Sequence, residues 1–400
     1  MRWLTLSVFV GTACASPGMP PGGPPDVAAP QIVSIAPDSG AVGVKPKEVV
    51  FHFDEVVSER PPATASLADL FMISPRDGVP DVSWHRDAIT VKPAHGWRRN
   101  TPYTVIMRGG LSDLRGNVRN TGASTFFSTG STIPHTRLSG TAFDWVAGRP
   151  AIGALVEAFV PPDTLHPYVA LVDSSGRFTV EHIPPARYTL RAYLDRNKNL
   201  SIDPSEPWDS VSVSLSDSAR TELLVFTHDT APPRIHDIVA IDSLRLRVSF
   251  DRPIDPAQTI SAANFAVIGP PPDSASVPIT SAGPPAADTI SKAALPEARP
   301  PATTPGRPAR LPKPDSTAPP KPVMSRPSPI SSAVIQLRRP LAPKTSYVVR
   351  AIGIRGLLGA TGNSERVFTS AAPPTPSATP TVKPSTTPTS PPASPPPTAK

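Results

Sequence analysis

The sequence predicts an all-β chain, built as tandem β-sandwiches joined by proline-rich disordered segments. Three observations carry that expectation. Apolar runs recur at strand length, four to six residues, and are separated by turn formers rich in Gly, Pro, Asn and Asp. No segment sustains the 3.6-residue apolar period of a helix. The 400 residues include 58 prolines, far above the usual level of about 5%. Proline lacks an amide donor and is excluded from helix interiors and central strands, so much of the chain must be turn, edge or linker.

The first folded block is expected over 31–130. Its strands are expected at Gln31–Ile35, Glu48–Phe53, Ala88–Val91, Tyr103–Met107 and Thr125–Ser128. Pro37-Asp38-Ser39-Gly40, Asp77-Gly78 and Arg115-Gly116-Asn117 supply turns between them. The run Val50-Phe51-His52-Phe53 alternates weakly, which predicts a central strand with both faces partly covered. A second block, 136–227, centres on Gly153–Phe159, Val172–Val180 and Ile183–Tyr193. Asp173 to Gly176 is expected to close a tight hairpin, and Pro184-Pro185 to force a turn before the next strand.

A third block, 232–370, repeats the first in order. Val248–Asp251 answers Phe51–Asp54, Asn264–Val267 answers Leu70–Ile73, and Lys344–Val349 answers Asn100–Val105. Gly362-Asn363 answers Gly116-Asn117, and Val367–Thr369 answers Phe126–Thr129. Residues 269–329 interrupt this block with Pro, Ala, Ser and Thr. So little apolar surface cannot offset the ordering entropy, which predicts a disordered insertion. The tail 371–400 has the same composition and the same expectation.

These elements resemble a bacterial Ig-like domain, the SbsA type named after an S-layer protein. Its marks are present at Pro37 to Val44, Val49 to Glu55, Asn100 to Val105, Gly110 to Asn117 and Phe127 to Thr129. The third block is a degenerate copy, without the opening motif and without an acidic counterpart to Asp113. The resemblance implies structural or adhesive duty and no catalytic residues. The second block is similar to the carboxypeptidase-regulatory-like, or prealbumin-like, seven-stranded sandwich, with Ala186 where that family usually has Gly.

The N-terminus reads as an address. Met1-Arg2-Trp3, the apolar run Leu4 to Val10 and Gly11-Thr12-Ala13 form a secretory signal over 1–13. Cys14, the sole cysteine, excludes an intrachain disulfide and a cysteine-built zinc site. Its setting resembles a bacterial lipobox, with Gly11 where the family prefers Leu. The resemblance implies lipidation at Cys14, a flexible linker over 14–30 and an outer-membrane lipoprotein of the cell envelope. An ordinary signal peptide with an incidental cysteine stays open beside it.

The net charge of +7 favours anionic partners. The cations are scattered, Arg98-Arg99 and Arg338-Arg339 being the densest pairs, so nucleic acid is not an expected partner. Envelope polymers or surface proteins are, with the membrane reached only through the lipid anchor.

One segment carries possible metal chemistry. In Asp195-Arg196-Asn197-Lys198-Asn199-Leu200-Ser201-Ile202-Asp203-Pro204-Ser205-Glu206, oxygen side chains fall at positions 1, 3, 5, 7, 9 and 12, the spacing of an EF-hand-type calcium loop. The candidate ligands are Asp195, Asn197, Asn199, Asp203 and Glu206. Leu200 stands at position 6, where such loops have Gly, and a strand precedes the loop in place of a helix. A plain Asx-rich turn is the other reading. Asp54, Glu55 and Asp113 suggest a carboxylate pair for acid–base work and are more simply read as turn-stabilising. Trp84, Trp97, Trp145 and Trp208 suit either sugar stacking, as in a carbohydrate-binding accessory protein, or core packing. No hydrolase elbow, phosphate loop or zinc-protease motif occurs, so the chain is read as no enzyme.

Overall fold

A computed structural model describes residues 25–62, 64–272, 274–285 and 322–370. The expected signal peptide, Cys14, most of the expected linker, the middle of the expected insertion and the tail lie outside the described residues. The described chain is all-β apart from two short 3-10 turns, Leu67–Leu70 and Ala262–Asn264. It forms two compact units. The first holds residues 25–229 with 322–328, and the second holds 230–285 with 329–370.

The first unit contains two sandwiches. In the first, one sheet runs in the order Ile32–Ala36, Val49–Phe53, Ala88–Lys92, Asp81–Trp84. The second sheet joins Phe71–Ser74, Pro102–Met107 and Ala123–Ser128. Alternation explains the layering: Val49, Phe51, Ile89 and Val91 point inward to meet Phe71, Ile73, Val105 and Phe127. The Phe51 and Phe71 rings meet edge to face, 5.4 Å between centroids. Val49–Phe53 is central in its sheet, as expected, with its inner face fully covered and its outer face covered only at Val50. His52 is exposed and Val50 half-buried, because a two-layer sandwich leaves the outer face of each sheet to water.

The second sandwich pairs Arg137–Asp144 with Arg177–Glu181 and Arg149–Pro150 on one side, antiparallel. On the other side Arg137–Asp144 runs parallel to Ser218–Val225 over all eight of its residues. The opposing sheet runs Tyr168–Leu171, Leu155–Phe159, Ala186–Tyr193, Trp208–Leu215. Asp173 to Gly176 is a turn, with Asp173 Oδ1 accepting from the Ser175 and Arg177 amides at 2.8 and 2.9 Å. It does not close a hairpin. Tyr168–Leu171 and Arg177–Glu181 lie in different sheets, and buried Val172 carries the chain across the core between them.

Every residue of Leu155–Phe159 is buried. Val156 and Ala158 enter the sandwich core, while Leu155 packs outward with Val169 and Tyr193 against Met72 of the first sandwich. The two sandwiches thus share a second, smaller apolar cluster, and the Arg76 amide donates to the Pro167 carbonyl across it at 2.7 Å.

The second unit is one sandwich. One sheet runs Ile235–Ala240, Arg245–Ile254, Ile330–Leu337, Ile279–Gly283, and the other runs Ser276–Val277, Phe265–Ile268, Ser346–Arg355, Thr361–Thr369. Its strand order matches that of the first sandwich, with Ser276–Val277 added at one edge of the second sheet. The tyrosine at the second position of a central strand is used alike in each: Tyr103 Oη accepts from the Arg98 amide at 2.7 Å, and Tyr347 Oη from the Ala342 amide at 2.9 Å.

The insertion expected over 269–329 is narrower than its composition implies. Ser276–Val277 and Ile279–Gly283 are strands, the latter pairing with Ile330–Leu337. Ser276–Val277 buries Val277 and pairs with Phe265–Ile268, and in Ile279–Gly283 the ladder satisfies the backbone of an edge strand. Returning to the first unit, Ser325 donates its amide to Glu222 Oε1 at 3.0 Å, and Pro327 accepts from Trp145 Nε1 at 2.9 Å.

Candidate functional site

Residues 195–206 connect two paired strands, Ala186–Tyr193 and Trp208–Leu215, whose ends meet at Tyr193 and Trp208. Leu194 N donates to Pro207 O at 3.0 Å and closes the neck. Within the loop the oxygen side chains turn inward onto backbone amides. Asp195 accepts from the Asn199 and Leu200 amides at 3.2 and 2.9 Å. Asn197 Oδ1 accepts from Asn199 N at 3.1 Å, and Asn199 Oδ1 from Ser201 N at 2.8 Å. Glu206, only 2% exposed, spans the loop, accepting from the Arg196 amide at 2.8 Å and the Asp203 amide at 3.2 Å. The Asn197 and Asn199 side-chain amides both donate to Asp203 Oδ2, at 2.6 and 3.2 Å.

All five candidate ligands therefore converge on one loop. Leu200 takes the left-handed backbone, φ +59°, that Gly supplies at this position in calcium loops, and Lys198 does the same at +61°. Leu200 and Ile202 anchor the loop on the apolar cluster shared by the two sandwiches. The carboxylates of Asp195, Asp203 and Glu206 are held apart by the amides between them. Among the described residues only Asp26, Glu55 and Asp113 bring three such groups within 4.8 Å of one another.

That acidic trio joins two residues singled out in the sequence to one that was not. Asp113 does stabilise its turn: Oδ1 accepts from the Arg115 and Asn117 amides at 2.9 and 2.8 Å, and Oδ2 from Asn117 Nδ2 at 2.7 Å. Burial pulls its carboxyl up, but these bonds from Asn117 and Arg115 outweigh it and leave the group below its ordinary value. Glu55 is shifted the other way. Desolvation raises it, and the neighbouring charges of Asp113, Asp26 and Asp54 raise it further. Asp26 arrives from the segment preceding the first strand, tied by Asn117 Nδ2 to its carbonyl at 3.2 Å.

The charge cluster that sequence reasoning missed is centred on Glu157, fully buried between the sandwiches. Its Oε1 lies 2.6 Å from Arg76 Nη2 and accepts from Tyr193 Oη at 2.9 Å. Its Oε2 accepts from Arg191 Nη2 at 2.5 Å and Nε at 3.1 Å. Arg76 Nη1 also donates to Tyr193 Oη at 3.3 Å. Burial, and then the Glu157 charge, hold the Tyr193 hydroxyl far above its ordinary value, so it stays a donor. The signal was a lone Glu inside the apolar run Leu155-Val156-Glu157-Ala158-Phe159, which is tolerated in a buried strand only with a partner.

The four tryptophans singled out in the sequence are engaged in packing. Trp84 Nε1 donates to Val57 O at 2.9 Å, and Trp97 packs edge-on against Tyr103 and Phe127. Trp145 is buried beside Phe226, and Trp208 stacks on His228 with 3.9 Å between ring centroids. No helix among the described residues is long and apolar enough to cross a membrane.

Residues 26–129 match the family model of the bacterial Ig-like domain, beginning five residues before the expected boundary. No curated protein matches the chain. Among solved structures, the chain is similar to a DUF3823 family protein from Parabacteroides merdae, with 13% identity, 34% of this chain and 66% of that one covered, and a TM-score of 0.18. It is similar to the N-terminal part of the bacterial S-layer protein SbsC, with 16% identity, 48% and 44% covered, and a TM-score of 0.20. It is also similar to BcpA, the major pilin subunit of Bacillus cereus, with 9% identity, 50% and 70% covered, and a TM-score of 0.18. The chain thus spans less than two thirds of the length of the first two, and scores this low carry no argument about function. What the match at 26–129 and the two-sheet architecture establish together is an all-β protein that carries a bacterial Ig-like domain.

Proposed function

We propose that the chain is a non-enzymatic protein of the cell envelope whose Ig-like sandwiches have structural or adhesive duty. The observation that carries this reading is the Ig-like sandwich at 26–129, joined through a buried apolar and ionic junction to a second sandwich in one compact unit. Such a unit transmits load and presents fixed surfaces. In this reading residues 232–370 are a degenerate second SbsA-type copy, supported by the matching strand order. Cys14 carries a lipid anchor at the outer membrane, and the partners are envelope polymers or surface proteins. The test is intact mass with detergent partitioning of the full chain expressed in a Gram-negative host. A diacylated Cys14 species in the detergent phase supports the anchored reading. A soluble product without lipid removes the anchor and leaves the sandwiches.

A second reading is favoured by one observation, the convergence of Asp195, Asn197, Asn199, Asp203 and Glu206 on a loop with left-handed Leu200. Calcium is the cation that this all-oxygen set suits. Rotating the Asn197 and Asn199 amides gives up their bonds from the Asn199 and Ser201 amides and turns both oxygens toward Asp203, where a cation between them replaces the lost bonds. Calcium then stiffens the loop and the junction it rests on. Calcium at ~100 times its dissociation constant adds about 2.7 kcal/mol to the unit it binds. Thermal melts with calcium and with chelator decide it: a rise in melting temperature that Asp203→Ala abolishes supports the site, and superimposable melts remove it.

A further inference from the structure

A cavity of about 220 Å³ lies in the first unit, where the Phe71–Ser74 strand meets the Leu155–Phe159 and Tyr168–Leu171 strands. At ~30 Å³ of liquid volume per water, it has the room of about seven water molecules. That is space for one small molecule and not for a folded partner or a sugar chain. Met72, Leu155, Val169 and Leu171 give it apolar walls. Exposed Val79 and Lys198 also line it, so it opens to solvent.

Its charged lining is unevenly satisfied. Arg76 is held by Glu157. Asp69 accepts from the Ser66 amide at 3.1 Å, and Asp195 from the Asn199 and Leu200 amides. Arg108 has no such partner. Its Nη2 donates to the thioether sulfur of Met72 at 3.3 Å, a weak acceptor, and its Nε is buried without a hydrogen bond. Desolvation lowers its pKa from the ordinary value. The charges of Asp69 and Asp195 pull it back upward, by less than desolvation lowers it. Arg108 is half-buried, with only Nε cut off from any partner, so its guanidinium keeps donors free to meet an anion entering the cavity.

We propose that this cavity binds a small organic acid, its carboxylate on Arg108 and its short apolar body against Met72, Leu155, Val169 and Leu171. The guanidinium fork matches a carboxylate bidentately, and the apolar walls reject a hydrophilic anion such as inorganic phosphate. The function goes beyond load-bearing: the junction of the two sandwiches becomes a receptor.

Isothermal titration of the full chain with phenylacetate, and with phenylacetamide as its neutral counterpart of the same shape, tests this. The acid is expected to bind saturably, and the amide at least about tenfold more weakly, since the charge-assisted bonds are lost. Arg108→Met is expected to abolish the preference for the acid. Equal binding of acid and amide, an unchanged preference in Arg108→Met, or no saturation by either up to about 10 mM overturns the proposal. The comparison of acid with amide needs no variant, so it decides the matter even where Arg108→Met fails to fold.

Discussion

Arg76 Nη2 lies 2.6 Å from Glu157 Oε1, and the two residues belong to different sandwiches of one compact unit. Glu157 is fully buried, so the cost of removing its charge from water is met only by its partners. Arg76→Met keeps the apolar stem and deletes one of them. Arg191 remains, so the loss is expected below that of a lone buried pair, about 2–3 kcal/mol. Urea unfolding of the full chain measures it. A loss under about 0.5 kcal/mol assigns the pair no more weight than a surface one.

Tyr193→Phe removes a hydroxyl that both donates to Glu157 and accepts from Arg76. The expected loss is about 1–2 kcal/mol. Because the three groups form one network, the Arg76→Met and Tyr193→Phe losses are expected not to add. A double-mutant cycle should show a coupling of about 1 kcal/mol, and strict additivity contradicts a shared network.

Gly140 sits in the central strand Arg137–Asp144, paired with Phe178 on one side and Thr221 on the other. A methyl group there meets the Thr221 carbonyl and lies 2.7 Å from Phe178 Cζ. The ladders on both sides prevent relief. Gly140→Ala is expected to cost about 3 kcal/mol, read as a lower denaturation midpoint, despite the better intrinsic propensity of alanine.

Lys198 and Leu200 both hold left-handed backbone, but only Leu200 packs against the apolar cluster at the junction. Lys198→Gly relieves strain without loss of packing and is expected to stabilise by about 0.5–1 kcal/mol. Leu200→Gly gains the same relief and loses buried surface, so it is expected to bring no gain. Thermal melts of the two variants side by side separate backbone strain from packing.

His228 lies against the Trp208 and Phe226 rings, with Asp209 nearby. Desolvation holds its folded pKa below the ordinary 6.5, although the Phe226 carbonyl and Asp209 pull it upward. The unfolded chain therefore takes up the proton more readily. The contribution of neutral His228 is present above pH 6.5 and is lost as pH falls through the lower folded value. His228→Phe is expected to flatten the decline in stability between neutral and mildly acid pH. An unchanged slope assigns that decline to other groups.

The strands of the first sandwich were legible as short apolar runs between turn formers, while the one-sided burial of Val49, Phe51 and Phe53 was blurred by apolar Val50 on the outer face. The 195–206 loop was legible because its oxygen side chains are periodic in sequence. The edge strand Ile279–Gly283 was hidden by its Ser, Ala and Gly content, since its stability comes from a ladder to residues some fifty positions away. Glu157 and Arg108 were hidden for a related reason. What makes each unusual is the surroundings that a distant segment brings to it: Arg76 to the one, and apolar Leu155 and Val169 to the cavity of the other.

The parallel pairing of Arg137–Asp144 with Ser218–Val225 sets an order of events for a chain delivered from its N-terminus. The opening strand of the second sandwich must wait, one edge unpaired, until the closing strand has emerged. Delivery cut short anywhere before Ser218 leaves that edge open to the next available strand, which is a template for aggregation. The second sandwich closes only when the chain is present through Val225.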